Sequence, residues 1–134
     1  MKPMATTKRL SGLIASALRP RWAGNEDGVS DILPPGLERR IGVRGMICMG
    51  WAPQLEILAH PAIGGSLFHA GWGSLTETLQ HGHAAIVLPL ANCQTWDARH
   101  SVDKGLAIQV AMNRDDGSLH RGVIARSLRR AMIE

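Results

Sequence analysis

The chain has 134 residues, about one domain by length, and no apolar run in it approaches the ~20 residues a membrane-crossing helix needs. Its 15 basic residues exceed its 11 acidic ones by four. That surplus, gathered mostly near the two ends, suits an anionic ligand but is too small to argue for nucleic acid. Two cysteines, Cys48 and Cys93, form neither a metal-type spacing nor a disulfide framework, which agrees with a reducing, cytoplasmic setting.

In chain order, residues 1–18 are basic, hold no acid and carry the small-residue pattern Ala15-Ser16-Ala17. They read either as a cleaved targeting peptide or as an ordinary helix or strand. Residues 20–36, rich in Pro, Gly, Asn and Asp, read as a surface loop. A regular alternation follows. "VRGMICM" (43–49) is a strand candidate, and "PQLEILAH" a helix with Pro53 acceptable in its first turn. "AIGGSLFH" is a second strand and "GSLTETLQH" a second helix. "AAIVLPL" is the clearest strand, stopped at Pro89. "TWDARHSVDKG" reads as a helix ending at Gly105, "LAIQVAM" as a strand, "NRDDGS" as a turn, and "RGVIARSLRRAMI" as an amphipathic helix striped by Val123, Ile124, Leu128 and Met132. Near-continuous apolar strands alternating with short helices predict an α/β fold with a parallel sheet. In such sheets ligands sit where strand tips give way to helices.

The residues at those junctions carry two readings each. Ser74 and Glu77 have the Ser-x-x-Glu spacing of a capping box. They could equally present a hydroxyl and a carboxylate to a phosphate-bearing ligand at a helix start, which Gly71 and Gly73 would let approach closely. His69 ends a strand, as a hydrogen-bonded residue near the core or as a donor to a diphosphate oxygen. Trp51 and Trp72 each follow a glycine and suit either a core or a stacking platform. His60, His69, His81 and His83 fall close together in sequence, yet no Cys or carboxylate completes a ligand set, so no metal is expected. Gly71-Trp72-Gly73 lacks the third glycine of a dinucleotide fingerprint.

Residues 51–94, "WAPQLEILAHPAIGGSLFHAGWGSLTETLQHGHAAIVLPLANCQ", resemble the donor-binding signature of plant UDP-dependent glycosyltransferases, from the opening Trp-x-Pro-Gln through His-x-Gly-Trp-x-Ser-x-x-Glu to the closing Gln. The flanks "ILPPGLERR", "RGMICMGWAPQ" and the stretch through "KGLAIQV" agree, so the resemblance covers roughly residues 13 to 133. It implies an incomplete Rossmann-like parallel sheet, the C-terminal lobe of a two-lobed (GT-B) glycosyltransferase. Residues 1–42 would be an N-terminal remnant and loop, and 43–134 a partial UDP-sugar donor-binding domain.

The resemblance also implies roles. Trp51 would stack on uracil, with Ala52 and Gln54 near base and ribose. His69, Ser74 and the backbone at Gly73 would bind the diphosphate, and Glu77 the ribose hydroxyls. Trp72 would contact the transferred sugar, and Gln94 its hydroxyls. Cys93 stands where the family typically has an acid facing the sugar, and Gly73 where it usually has Asn. The family needs no cofactor beyond the UDP-sugar, and its acceptor would be a small hydroxylated molecule such as a flavonoid or terpenoid glycoside.

Nothing in the chain matches the N-terminal lobe, so no residue is expected to act as the catalytic base. Such a chain could be a truncated enzyme, a UDP-binding module, or a product without a ligand. "LIASALR" would be a remnant of the lobe's second strand. Without the lobe's first strand, the strands on either side would lack their common neighbour, and the chain alone is expected to be marginally stable and unable to transfer sugar.

Overall fold

A computed structural model of the chain describes residues 35–47, 52–113 and 115–133, and residues 12–15 as backbone. The targeting-peptide pattern, most of the 20–36 loop, Cys48 and Trp51 lie outside the described residues. The chain divides into two compact units, Arg19–Gln54 and Met1–Leu18 with Leu55–Glu134.

In the smaller unit, α1 (Leu37–Ile41) follows Gly36, whose φ of 75° needs a residue without a side chain. A single 3-10 turn, Gly42–Arg44, comes next, and Gly45 is extended. The strand expected over 43–49 is therefore absent from its described part. Gly42 turns the backbone into the left-handed region at φ 50°, and Val43 and Met46 stand out in solvent, 105% and 86% exposed. An apolar run becomes a buried strand only where neighbours take its backbone hydrogen bonds and cover its faces. Val43 and Met46 have no such cover.

The larger unit is built on a four-stranded, all-parallel sheet in the order β1 (Gly12–Ala15), β2 (Ile63–Phe68), β3 (Ala84–Val87), β4 (Ala107–Gln109). β1 pairs directly with β2, Leu13 opposite Gly65 and Ala15 opposite Leu67. The expected gap beside β2 is thus not present: residues 12–15 supply its neighbour, and among the described residues β1 and β4 are the edge strands. The remaining helices are α2 (Gln54–Ala59), α3 (Trp72–Gln80), α4 (Asn92–Asp103) and α5 (Arg121–Ile133). The helices and strands expected after residue 53 all form. α4, however, begins at Asn92, before the expected start, and the turn of Gly105 at φ 70° follows its last residues.

Burial in β3 shows why a parallel sheet forms. Ala85 and Val87 point into a core with Phe68, Ala70, Leu75 of α3 and Ala98 of α4, while Ile86 between them is also fully buried, on the opposite face. The strand is covered on both sides, as its continuous apolar run requires. α5 packs against β2, β3 and β4 without joining the first cluster, so it covers the Ile86 face. Burying each of the larger side chains, Phe68, Leu75, Ile86 and Val87, contributes about 1.5–3 kcal/mol. Among the described residues no helix is long and apolar enough to cross a membrane.

Register levels the strand tips. Phe68 pairs with Val87 and Val87 with Gln109, and the Leu88 N–H reaches past the tip to the Phe68 carbonyl at 2.8 Å. The starts of α3 and α4 consequently open at the same end of the sheet.

Candidate functional site

The β2–α3 junction is assembled from backbone. After Phe68 the chain passes through His69 and then Ala70, the one non-glycine among the described residues with positive φ, at 68°. Left-handed backbone costs an alanine roughly 1–2 kcal/mol, and here it turns the chain sharply into α3. Gly71 is the N-cap, with no side-chain cap. The Ser74–Glu77 capping box expected from spacing is therefore not formed: the helix starts at Trp72, which puts Ser74 at its third residue instead of before its first. A helix start without a side-chain cap leaves first-turn N–H groups available, at the positive end of the helix dipole.

His69 folds back over this start. A Cβ built on Gly71 would lie 2.7 Å from His69 Nε2, so the imidazole occupies the space a side chain at 71 would take. His69 Nδ1 is buried with no hydrogen-bond partner. An unsatisfied buried polar atom costs about 1–3 kcal/mol and calls for an explanation. At Gly73, by contrast, a Cβ meets nothing within 4 Å, so the space above the first turn is open. Ser74 is half-buried on that turn, and Glu77 lies three residues on, on the same side of the helix. Trp72 is about half exposed, its ring centroid 6.2 Å from that of His100 on α4.

The β3–α4 junction is assembled differently. Ala91, extended at φ −137°, is the N-cap and has no side-chain oxygen. Gln94 supplies the cap from inside the helix: its Oε1 accepts from the Leu90 N–H at 2.8 Å and the Ala91 N–H at 3.1 Å. Cys93, beside it, is an exposed free thiol. No acidic residue occupies the first turn of α3 or of α4.

Of the residues singled out in the sequence, His69, Trp72, Gly73, Ser74 and Glu77 sit together at the start of α3, and Cys93 and Gln94 at the start of α4 at the same sheet end. Ala52, half-buried, and Gln54, exposed at the start of α2, belong to the smaller unit. Sequence reasoning missed three features. Ala70 gave no hint of left-handed backbone, because alanine rarely adopts it. The Gly71–His69 contact joins residues two apart through a turn that only the fold creates. The Gln94 cap had a signal, Gln at the third helical position, but no Ser or Thr at 91 to pair with it.

Away from the site, burial and the neighbouring His81 lower the pKa of His83, whose Nδ1 is also buried without a partner. Among the described residues no group of three or more His, Cys, Asp or Glu side chains is arranged to hold a metal ion.

The family model for UDP-glucoronosyl and UDP-glucosyl transferase matches residues 33–117. A UDP-glycosyltransferase of Stevia rebaudiana is 38% identical over 133 residues, 98% of this chain and 28% of that protein. A beta-D-glucosyl crocetin beta-1,6-glucosyltransferase of Gardenia jasminoides is 40% identical over 78% of this chain and 23% of its own length. In structure, a transferase from Siraitia grosvenorii in complex with UDP superposes with a TM-score of 0.67 and 34% identity, over 79% of this chain and 25% of that one. The chain spans about a quarter of the length of the curated relatives it matches.

Proposed function

The chain belongs to the UDP-glucoronosyl and UDP-glucosyl transferase family, and from that premise we propose that it forms the donor-binding half of a glycosyl transfer from a UDP-sugar to a hydroxyl of a small acceptor. The observation that carries the reading is the start of α3. A half-buried imidazole, its Nδ1 buried and without a partner, lies beside a helix start that has no side-chain cap, with open space above Gly73. That arrangement suits a diphosphate, which accepts from His69 and from first-turn N–H groups at once.

In this reading Ser74 adds a hydroxyl donor and the Gly73 backbone N–H contacts a phosphate oxygen. Glu77 accepts from the ribose hydroxyls, and Trp72 faces the transferred sugar. Gln94 contacts the sugar from α4, next to Cys93. By the family resemblance alone, Trp51, Ala52 and Gln54 would serve the uracil and ribose. As the acceptor oxygen attacks the anomeric carbon and UDP departs, negative charge grows on the diphosphate, and donors already fixed around it stabilise that charge without reorganising. The proton leaves to a general base on a separate acceptor lobe, which also supplies the acceptor pocket. The Gardenia relative's glucosylated substrate supports an acceptor that already carries a sugar.

Isothermal titration calorimetry with UDP tests the binding half. Saturable binding that His69→Ala weakens is expected. UDP binding of equal strength in the parent and the His69→Ala chain would reject the diphosphate assignment. Product formation from a UDP-sugar and a glycoside acceptor, measured with and without a separately supplied acceptor lobe, tests transfer. Product is expected only when that lobe is present.

A further inference from the structure

We infer that His100 of α4 is a positioning residue for the donor sugar, holding the Trp72 indole of α3 at the sugar end of the site. The inference rests on the reading that Trp72 faces the transferred sugar and deepens it.

A helical side chain ordinarily leans back over the turn before its own Cα, and that turn settles its direction. Trp72 is the first residue of α3, so no helical turn precedes it. The Thr76 hydroxyl lies 2.8 Å from the Gly73 carbonyl and 3.2 Å from the Trp72 carbonyl, and these bonds hold the backbone, not the ring. An indole about half exposed at such a position has several staggered orientations open to it. Across from it, on the neighbouring helix, stands the His100 imidazole, its ring centroid 6.2 Å away and its plane tilted by 50°. Aromatic pairs attract at centroid separations of roughly 4.5–7 Å, so this contact favours one orientation of the indole over the others.

His100 is a firm support. Ala98 and Ser101, close to it on α4, are 0% and 1% exposed, which seats this part of the helix against the core. The Ser101 hydroxyl donates to the Asp97 carbonyl at 2.6 Å, and the Lys104 N–H to the His100 carbonyl at 3.1 Å. His100 itself is exposed, so its ring can be exchanged without opening a cavity in the core. In this arrangement α4 serves the sugar end twice: Gln94 contacts the sugar, and His100, further along the helix, acts on it through Trp72.

Calorimetry on the chain with UDP and with UDP-glucose separates the sugar's contribution from that of the nucleotide. Trp72→Ala should lower the ratio of UDP-glucose to UDP affinity. His100→Ala should lower the same ratio about threefold to tenfold, the worth of one aromatic pair, with the affinity for UDP unchanged. His100→Phe keeps a ring against Trp72 and should restore the ratio. In a chain that already carries Trp72→Ala, His100→Ala should have no further effect, because the support has nothing left to hold. A His100 that only stabilised the fold would lower the thermal midpoint and leave the ratio at its parental value. An unchanged ratio in His100→Ala, an equal weakening of UDP and UDP-glucose, no recovery in His100→Phe, or a full further loss on top of Trp72→Ala overturns the inference, while UDP binding that His69→Ala weakens keeps the donor-binding reading. If Trp72→Ala leaves the ratio unchanged, the assignment of Trp72 to the sugar falls and the inference with it. If UDP itself does not bind, the donor-binding reading falls as well.

Discussion

The two strand-to-helix junctions lie at one end of the same sheet, yet they are finished by opposite means. At β2–α3 the backbone does the work: a left-handed Ala70, an N-cap glycine with no side-chain bond, and an imidazole set over the helix start with its Nδ1 unpartnered. At β3–α4 a side chain does it, with Gln94 Oε1 holding two N–H groups that lead into the helix. The first junction carries strain and an unsatisfied polar atom, His69 Nδ1. The second satisfies its own backbone and has only part of one side chain left for recognition. Strain kept at one junction and not at its neighbour agrees with the proposal that the diphosphate binds at the first.

That contrast can be broken most strongly at Gly71. Gly71→Ala places a Cβ 2.7 Å from His69 Nε2 at a backbone conformation, φ −66° and ψ 136°, that alanine adopts freely. The imidazole must move while the helix need not. UDP affinity measured by calorimetry should fall about tenfold to a hundredfold, the worth of one charge-assisted hydrogen bond, with the thermal midpoint nearly that of the parent. Gly122→Ala on α5, where a Cβ would meet only Arg126 Nη1 at 3.8 Å, is the internal control and should leave the affinity unchanged. An equal loss at both positions would show that the effect does not come through the His69 contact.

Stability changes of about 1 kcal/mol should then run in opposite directions at the two junctions. Ala70→Gly relieves left-handed strain and should stabilise the chain by about that amount in urea unfolding, if the strain is stored where the φ angle puts it. Gln94→Ala removes the α4 cap and should destabilise it by about 1 kcal/mol. Destabilisation by Ala70→Gly would mean that the fold gains more from the Ala70 side chain in the core than it loses to its backbone.

How far each junction could be read in the sequence follows the same division. Apolar continuity in "AAIVLPL" and the 3.6-residue stripe of the last helix are local properties, and the strands and helices from residue 54 onward followed from them. The signature residues His69, Trp72, Ser74 and Glu77 were likewise legible, because spacing put them at a strand tip and a helix start. What sequence could not supply was the partner of each group. "VRGMICM" has a strand's composition, but whether it becomes one depends on neighbours, and residues 12–15 took a place beside β2 that their own pattern does not specify. Ser74 and Glu77 match a capping box in letters and miss it in structure by where the turn of Ala70 starts the helix.

The far end of α3 sharpens the comparison in a last, smaller way. His83 precedes β3 where His81 closes α3, with ring centroids 5.8 Å apart, and its pKa is pushed below the ordinary 6.5 first by burial and then by the positive charge His81 can carry. Between the lowered folded value and 6.5 the unfolded chain binds more protons at this site than the folded one, so stability rises with pH through that window. Well above pH 6.5 the site is neutral in both states and contributes no pH dependence. As the pH falls below 6.5 the unfolded chain gains a proton that the folded chain resists, and the folded state loses ground. His83→Gln should flatten the decline in thermal midpoint as the pH falls through that window. An unchanged acid slope in that variant would mean that the decline does not come from His83.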